Sequence, residues 1–228
     1  MRSQYICLAF ALAGCASAES QQQNVGVVDS GVGGDPDAAG SGSTDAAPTG
    51  TDSGTGCTVT TRDLLTNPTF EVTPAASGWT PVPIVANDPL VSNTGGIAAQ
   101  SPAYRAWLGG VAQPNSTDRL YQDVLVPAST TMLALTGFYE VRTSESGATI
   151  YDRGTAAIQT TAGAQIELIK ALDNAHPTTA WTPLDMTFAN LAQMKGQTIR
   201  IHFTSTNDGL NATSFYFDTL HLNATVCE

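Results

Sequence analysis

The chain has 228 residues and a formal net charge of -11 at pH 7, from 9 Lys and Arg against 20 Asp and Glu. That balance lacks the basic footprint that nucleic-acid phosphates require and offers no cationic patch for anionic lipid heads, so neither is an expected partner. Its 4 cysteines are few enough to be accounted for one by one.

Arg2 and the apolar run Tyr5-Ile6-Cys7-Leu8-Ala9-Phe10-Ala11-Leu12 have the layout of an export signal. The run is far shorter than the roughly 20 residues a membrane-spanning helix needs. It leads into Leu12-Ala13-Gly14-Cys15, which resembles the lipobox of bacterial lipoproteins. The resemblance implies that residues 1–14 are a signal peptide, that Cys15 receives a diacylglycerol thioether after cleavage, and that its new amino group is acylated. Membrane attachment is then expected through lipid alone. Ala16 lacks the Asp that marks inner-membrane retention in the best-known sorting rule, so the expected address is the bacterial cell envelope, at the outer membrane.

From residue 16 to 56 there is no aromatic, Leu, Ile, Met, Lys or Arg, while Asp, Gly, Ser, Ala and Thr dominate. Such a stretch cannot bury enough apolar area to offset the entropy of ordering its backbone. Residues 15–56 therefore read as a lipidated cysteine and a disordered linker, with an r.m.s. reach on the order of 35 Å. Gly31-Val32-Gly33-Gly34 lacks the Lys-Ser/Thr of a phosphate loop, and the Asp/Gly pattern lacks the Glu that closes an EF-hand.

Residues 57–228 are long enough for one domain with its own core. With Cys7 removed and Cys15 lipidated, Cys57 and Cys227 remain, bracketing that domain. In an exported protein this spacing reads as a disulfide joining the terminal strands; two distant cysteines without neighbouring His or Cys offer no chelating pair. Alternating or β-rich runs are expected as strands at residues 103–108, 118–126, 131–141, 155–160, 165–172, 198–204 and 214–222, with Gly, Pro, Asn and Asp between them. One helical turn is expected at 190–196, with Asn190 as cap and Gly196 as stop. The class implied is all-β, a single antiparallel sandwich.

Phe215 and Phe217 share one face of the last strand, while Leu220 and Leu222 fall on the other. One strand of period two cannot bury both pairs, so a β-bulge is expected at Asp218-Thr219.

Leu64-Leu65-Thr66-Asn67-Pro68-Thr69-Phe70-Glu71 followed by Trp79, then Ala106-Trp107-Leu108-Gly109-Gly110, Leu120-Tyr121-Gln122-Asp123-Val124 and 214–222, resembles the galactose-binding-like jelly rolls. The likeness is greatest to carbohydrate-binding modules of the type 4/9 group. The resemblance implies a jelly roll over residues 63–222, a structural calcium ion with Glu71 and Asp218 as its candidate ligands, and a glycan or polymer ligand. Thr219 stands where a second Asp is frequent and Pro68 where Gly is usual. Trp79, Trp107, Trp181 and Tyr104 are the candidate sugar platforms, each also placed where an aromatic serves a core.

Thr143-Ser144-Glu145-Ser146 with Tyr151-Asp152 forms a second acidic stretch, across a loop that suits either oxygen ligation or a solvated hairpin tip. His176, His202 and His221 form no chelating pattern, and no G-x-S-x-G elbow occurs. The chain is therefore expected to be a noncatalytic, monomeric lipoprotein whose sandwich binds glycan or polymer. The alternatives are a structural or protein-interaction lipoprotein and, after it, a hydrolase.

Overall fold

The computed structural model describes residues 56–228. Cys15, the signal segment and the linker lie outside the described residues. In chain order the elements are β1 (Val59–Asp63), β2 (Thr80–Val82), β3 (Val91–Ser92), β4 (Arg105–Gly109), β5 (Ser116–Leu125), β6 (Thr130–Thr143), β7 (Arg153–Thr160), β8 (Gln165–Asp173), β9 (Thr182–Pro183), β10 (Met186–Thr187), α1 (Leu191–Met194), β11 (Thr198–Asn207) and β12 (Thr213–Cys227). They make the expected all-β sandwich. A seven-stranded sheet runs β10-β6-β12-β4-β3, with β1 beside β12 and β9 beside β6; the five-stranded sheet runs β2-β5-β11-β7-β8.

The alternation seen in the sequence decides which side chains fill the space between the sheets. On β5, Leu120, Gln122 and Val124 are buried while Arg119, Asp123 and Leu125 are exposed, and on β11 Ile199, Ile201 and Phe203 point inward. Phe217 of β12 meets Phe203 of β11 at 4.5 Å between ring centroids; Trp79 lies 6.0 Å from Phe203, and Phe70 lies 5.2 Å from Trp79. This aromatic chain spans both sheets and contributes contact energy beyond its buried area. Phe215 packs over Gly154, where a Cβ would stand 2.5 Å from its ring, so no larger residue fits beneath it.

The bulge sits where parity requires it. The pairing of β12 with β6 steps from Asp218↔Phe138 to His221↔Thr136, one residue more on β12 than on β6. Thr219 absorbs the irregularity at φ 52°, a left-handed conformation that is rare for a β-branched residue. Phe215, Phe217, Leu220 and Leu222 are all fully buried as a result.

Cys57 and Cys227 form the disulfide, with Cα atoms 5.2 Å apart. It fastens β1 alongside β12, reinforced by reciprocal backbone hydrogen bonds between Thr58 and Glu228. Two local expectations need correction. The Asn190 side chain does not cap α1, because its amide donates to the Ile166 carbonyl at 3.3 Å while Glu167 accepts the Ala189 and Asn190 N–H groups. Strand β4 begins at Arg105 rather than residue 103, because the N–H groups of Ala103 and Tyr104 are given to Glu71.

Candidate functional site

Asp218 stands on the bulge of β12, fully buried, and faces the segment that precedes β4. Its Oδ2 accepts the N–H groups of Gln100 (2.8 Å) and Ser101 (3.1 Å); its Oδ1 accepts the Ser101 hydroxyl (3.1 Å) and the Thr219 N–H (2.6 Å). Burial pushes the Asp218 carboxyl above the ordinary Asp range, and the hydrogen bonds from Ser101, Thr219 and Gln100 offset only part of that rise. Glu71 follows Phe70, which is held at φ 64°, and its Oε1 accepts from Ala103 (3.1 Å) and Tyr104 (2.8 Å). The two carboxylates thus clamp residues 100–104 from either side.

The structure brings Glu71 and Asp218 to one segment. Calcium takes six to eight oxygen ligands. Both oxygens of Asp218 and Oε1 of Glu71 each accept two hydrogen bonds from that segment or from Thr219, an arrangement that anchors the segment rather than turning open lone pairs toward an ion.

Of the four aromatic candidates, Trp79 and Trp107 are buried and Tyr104 and Trp181 are half-buried. Trp79 is 5% exposed, and its indole N–H donates to the Asn67 carbonyl at 3.0 Å. Trp107 is 6% exposed; it donates to Ser214 Oγ at 3.0 Å and lies 5.4 Å from the ring of Tyr216. The Arg105 guanidinium stands 5.9 Å from both rings, bound to the carbonyls of Ser92, Thr94 and Gly95. Tyr104 packs partly buried against the core. Trp181 is half-buried and spends its indole N–H on the Ala98 carbonyl at 3.1 Å. Trp79 and Trp107 thus offer no open platform, because their faces are covered by the protein's own core and loops.

The outer face of the five-stranded sheet gives a different set. Register places Thr80, Tyr121, His202, Ala157 and Leu168 in one row across β2-β5-β11-β7-β8. Arg119, Thr204 and Thr155 form the row on one side, and Asp123, Arg200 and Gln159 the row on the other. Along the row the middle is the most covered: His202 is 9% and Ala157 3% exposed, while Leu168 at the edge is 42% exposed. Ala157 is outward-facing and stands apart from the core cluster, and its low exposure shows that its larger neighbours on the face cover it.

Arg200 is fixed on that face. Its guanidinium lies 3.8 Å from the Tyr121 ring centroid and makes a two-pronged pair with Asp123, at 2.7 and 2.9 Å. Asp123 raises the Arg200 pKa, so the group stays cationic. The His202 ring is 6.1 Å from Tyr121. Burial, and then the charges of Arg119 and Arg200, hold its pKa below the ordinary imidazole range, so the ring is neutral near pH 7 and can both donate and accept a hydrogen bond. Aromatic, guanidinium, carboxylate, imidazole and hydroxyl groups are thus set side by side on this face.

No family model matches this sequence, and no curated protein does. Similar solved structures include TmCBM61 in complex with beta-1,4-galactotriose, at 15% identity, covering 71% of this chain and 97% of that one, with a TM-score of 0.42. The C-terminal family 22 carbohydrate binding module of Clostridium thermocellum Xyn10B matches at 14% identity over 72% and 94%, with a TM-score of 0.42. The K2 cleaved adhesin domain of Lys-gingipain matches at 12% identity over 74% and 100%, also at 0.42. At these scores no residue role is carried across.

Tyr121, Asp123, Arg200 and His202 were not among the sequence candidates. The alternation of β5 sets Tyr121 and Asp123 opposite Leu120, Gln122 and Val124, and that signal is visible in the sequence. Their meeting with Arg200 depends on the β5/β11 register, which is not.

Proposed function

We propose that this chain is a lipid-anchored protein of the bacterial envelope whose β-sandwich is a noncatalytic module binding glycan or a related polymer. The site is the outer face of the five-stranded sheet. The supporting observation is the fixed Tyr121–Arg200–Asp123 constellation beside His202 on that face. The fixed guanidinium and carboxylate present directional hydrogen-bond groups whose orientation is set before a ligand arrives, which lowers the entropic cost of binding. Thr155, Thr204 and Gln159 extend the polar lining along the neighbouring strands.

A glycan array probed with the protein tests this reading. Binding to a defined set of polysaccharides, reduced at least tenfold by Tyr121→Ala and by Asp123→Ala in folded protein, supports it. An array without signal, or binding indifferent to both substitutions, removes the proposed face. The anchor is tested separately: Cys15→Ser moves the protein from membrane to soluble fractions if acyl chains alone hold it.

A further inference from the structure

The end of the sandwich where β5 begins, β11 ends and β7 begins is lined on its inner side by oxygen. Register sets Asn207 beside Ser116 and Ser205 between Asp118 and Gly154. Asp152, two residues before Gly154, takes the next inward position of β7, next to Asn207. Asp208 N–H reaches Asp152 Oδ1 at 2.9 Å, which confirms the juxtaposition. From the opposite sheet, Asn207 Nδ2 donates to the Thr213 carbonyl at 3.0 Å, and the paired hydroxyls of Thr213 and Thr143 lie 2.9 Å apart. Thr143 Oγ1 in turn accepts the Glu145 N–H at 2.9 Å, which brings the β6–β7 loop to the same end.

Asp152 is 0%, Asn207 1%, Ser205 1% and Ser116 2% exposed. Five buried oxygens of this end, Asp152 Oδ2, Asn207 Oδ1, Glu145 Oε1, Ser116 Oγ and Ser205 Oγ, have no hydrogen-bond partner among the described residues. Two are hydroxyls that could donate to the other three, yet they do not. Burying a carboxylate without a compensating charge is costly, and among the described residues no ion pair involves Asp152 or Glu145. Neighbouring Asp118 has both carboxylate oxygens served by backbone N–H groups, from Ile84 and Gly109, so an amide-satisfied carboxylate is the local alternative and Asp152 Oδ2 departs from it.

We infer that Asp152, Glu145, Asn207, Ser116 and Ser205 form a binding site for a hard divalent cation of the calcium class. Two carboxylates balance its charge, an amide oxygen and hydroxyls supply neutral ligands, and water completes a shell of six to eight. Magnesium, which demands near-ideal octahedral geometry and keeps most of its water, suits a mixed set of strand and loop ligands less well. The ion would pin the β6–β7 loop to the end of β11. The site is distinct from Glu71 and Asp218, whose donors are amides.

The test uses the full chain stripped with EDTA and titrated with calcium, read by calorimetry and by melting temperature. Calcium raises the melting temperature, EDTA reverses the rise, and Asp152→Asn and Glu145→Gln each weaken calcium binding at least tenfold, whereas Glu71→Gln leaves it unchanged. Should Asp152→Asn fail to fold, Glu145→Gln decides, because Glu145 is a half-buried loop residue whose Oε2 bond to Asn211 a Gln preserves. A melting temperature indifferent to calcium and EDTA overturns the inference. So does a calcium response that survives Glu145→Gln undiminished, or one that disappears with Glu71→Gln.

Discussion

Ser101 gives Asp218 two hydrogen bonds across 117 positions of sequence, one from its backbone N–H to Oδ2 and one from its hydroxyl to Oδ1, each 3.1 Å long. Both favour the ionised carboxylate. They hold the segment before β4 against the bulge of β12, so strand register and loop position depend on one residue pair.

Ser101→Ala removes the hydroxyl bond and keeps the backbone one, at a cost of about 1 kcal/mol at neutral pH. The Asp218 carboxyl already titrates above its unfolded value, and losing a donor raises it further. The folded variant therefore holds its proton to higher pH than the parent does. Its deficit relative to the parent grows as pH rises through the folded value and shrinks in acid, where both carboxyls are neutral. Urea unfolding of the two proteins at several pH values measures this; a deficit independent of pH would contradict it.

His202 gives a slope of the opposite sign. Its folded pKa lies below the ordinary imidazole value of about 6.5, so on acidification the unfolded chain takes up the proton first. Stability declines as pH falls below that value and levels off once the folded ring also protonates. His202→Gln flattens this part of the profile, seen as a melting temperature that changes less than the parent's over the same pH interval.

Substituting aromatics separates the core from the outer face of the five-stranded sheet. Trp107→Ala leaves a cavity beneath the loop that covers it and costs about 3–5 kcal/mol in denaturant unfolding. Tyr121→Ala exposes the stem of Arg200, costs about 1 kcal/mol, and acts on ligand affinity instead. A Tyr121→Ala protein as destabilised as Trp107→Ala would place Tyr121 in the core.

Reducing the Cys57–Cys227 bond frees a loop with a sequence separation of 170, for which the chain-entropy model gives roughly 5 kcal/mol as an upper figure. A drop in melting temperature on adding a reductant, reproduced by Cys57→Ser with Cys227→Ser, is the expected result.

The fold was legible where local chemistry determines it. Period-two alternation gave most of the long strands, cysteine accounting gave the disulfide, and the parity conflict between Phe217 and Leu220 located the bulge. The candidate site was less legible, for a physical reason. A Trp beside a strand has the same sequence signature whether it points to solvent or lies under a loop, and Trp107 is covered by residues more than ten positions away, such as Gly95. Glu71 and Asp218 stood out in the sequence only as calcium ligands implied by the resemblance; that they share residues 100–104, and that N–H groups turn toward them, is set by the backbone of that segment. The outer-face constellation needed sheet order, since β5 and β11 are far apart in sequence and only their pairing sets Arg200 over Tyr121.

The disulfide also decides how the domain bears load. A pull applied at residue 56 arrives at Cys57 and crosses a covalent bond into Cys227, at the end of the strand that β6, β4 and β1 all flank. Tension entering there is shared between the first and last strands of the sheet and does not load β1 alone. Reduction of that one bond would leave β1 held at its edge by backbone pairing alone.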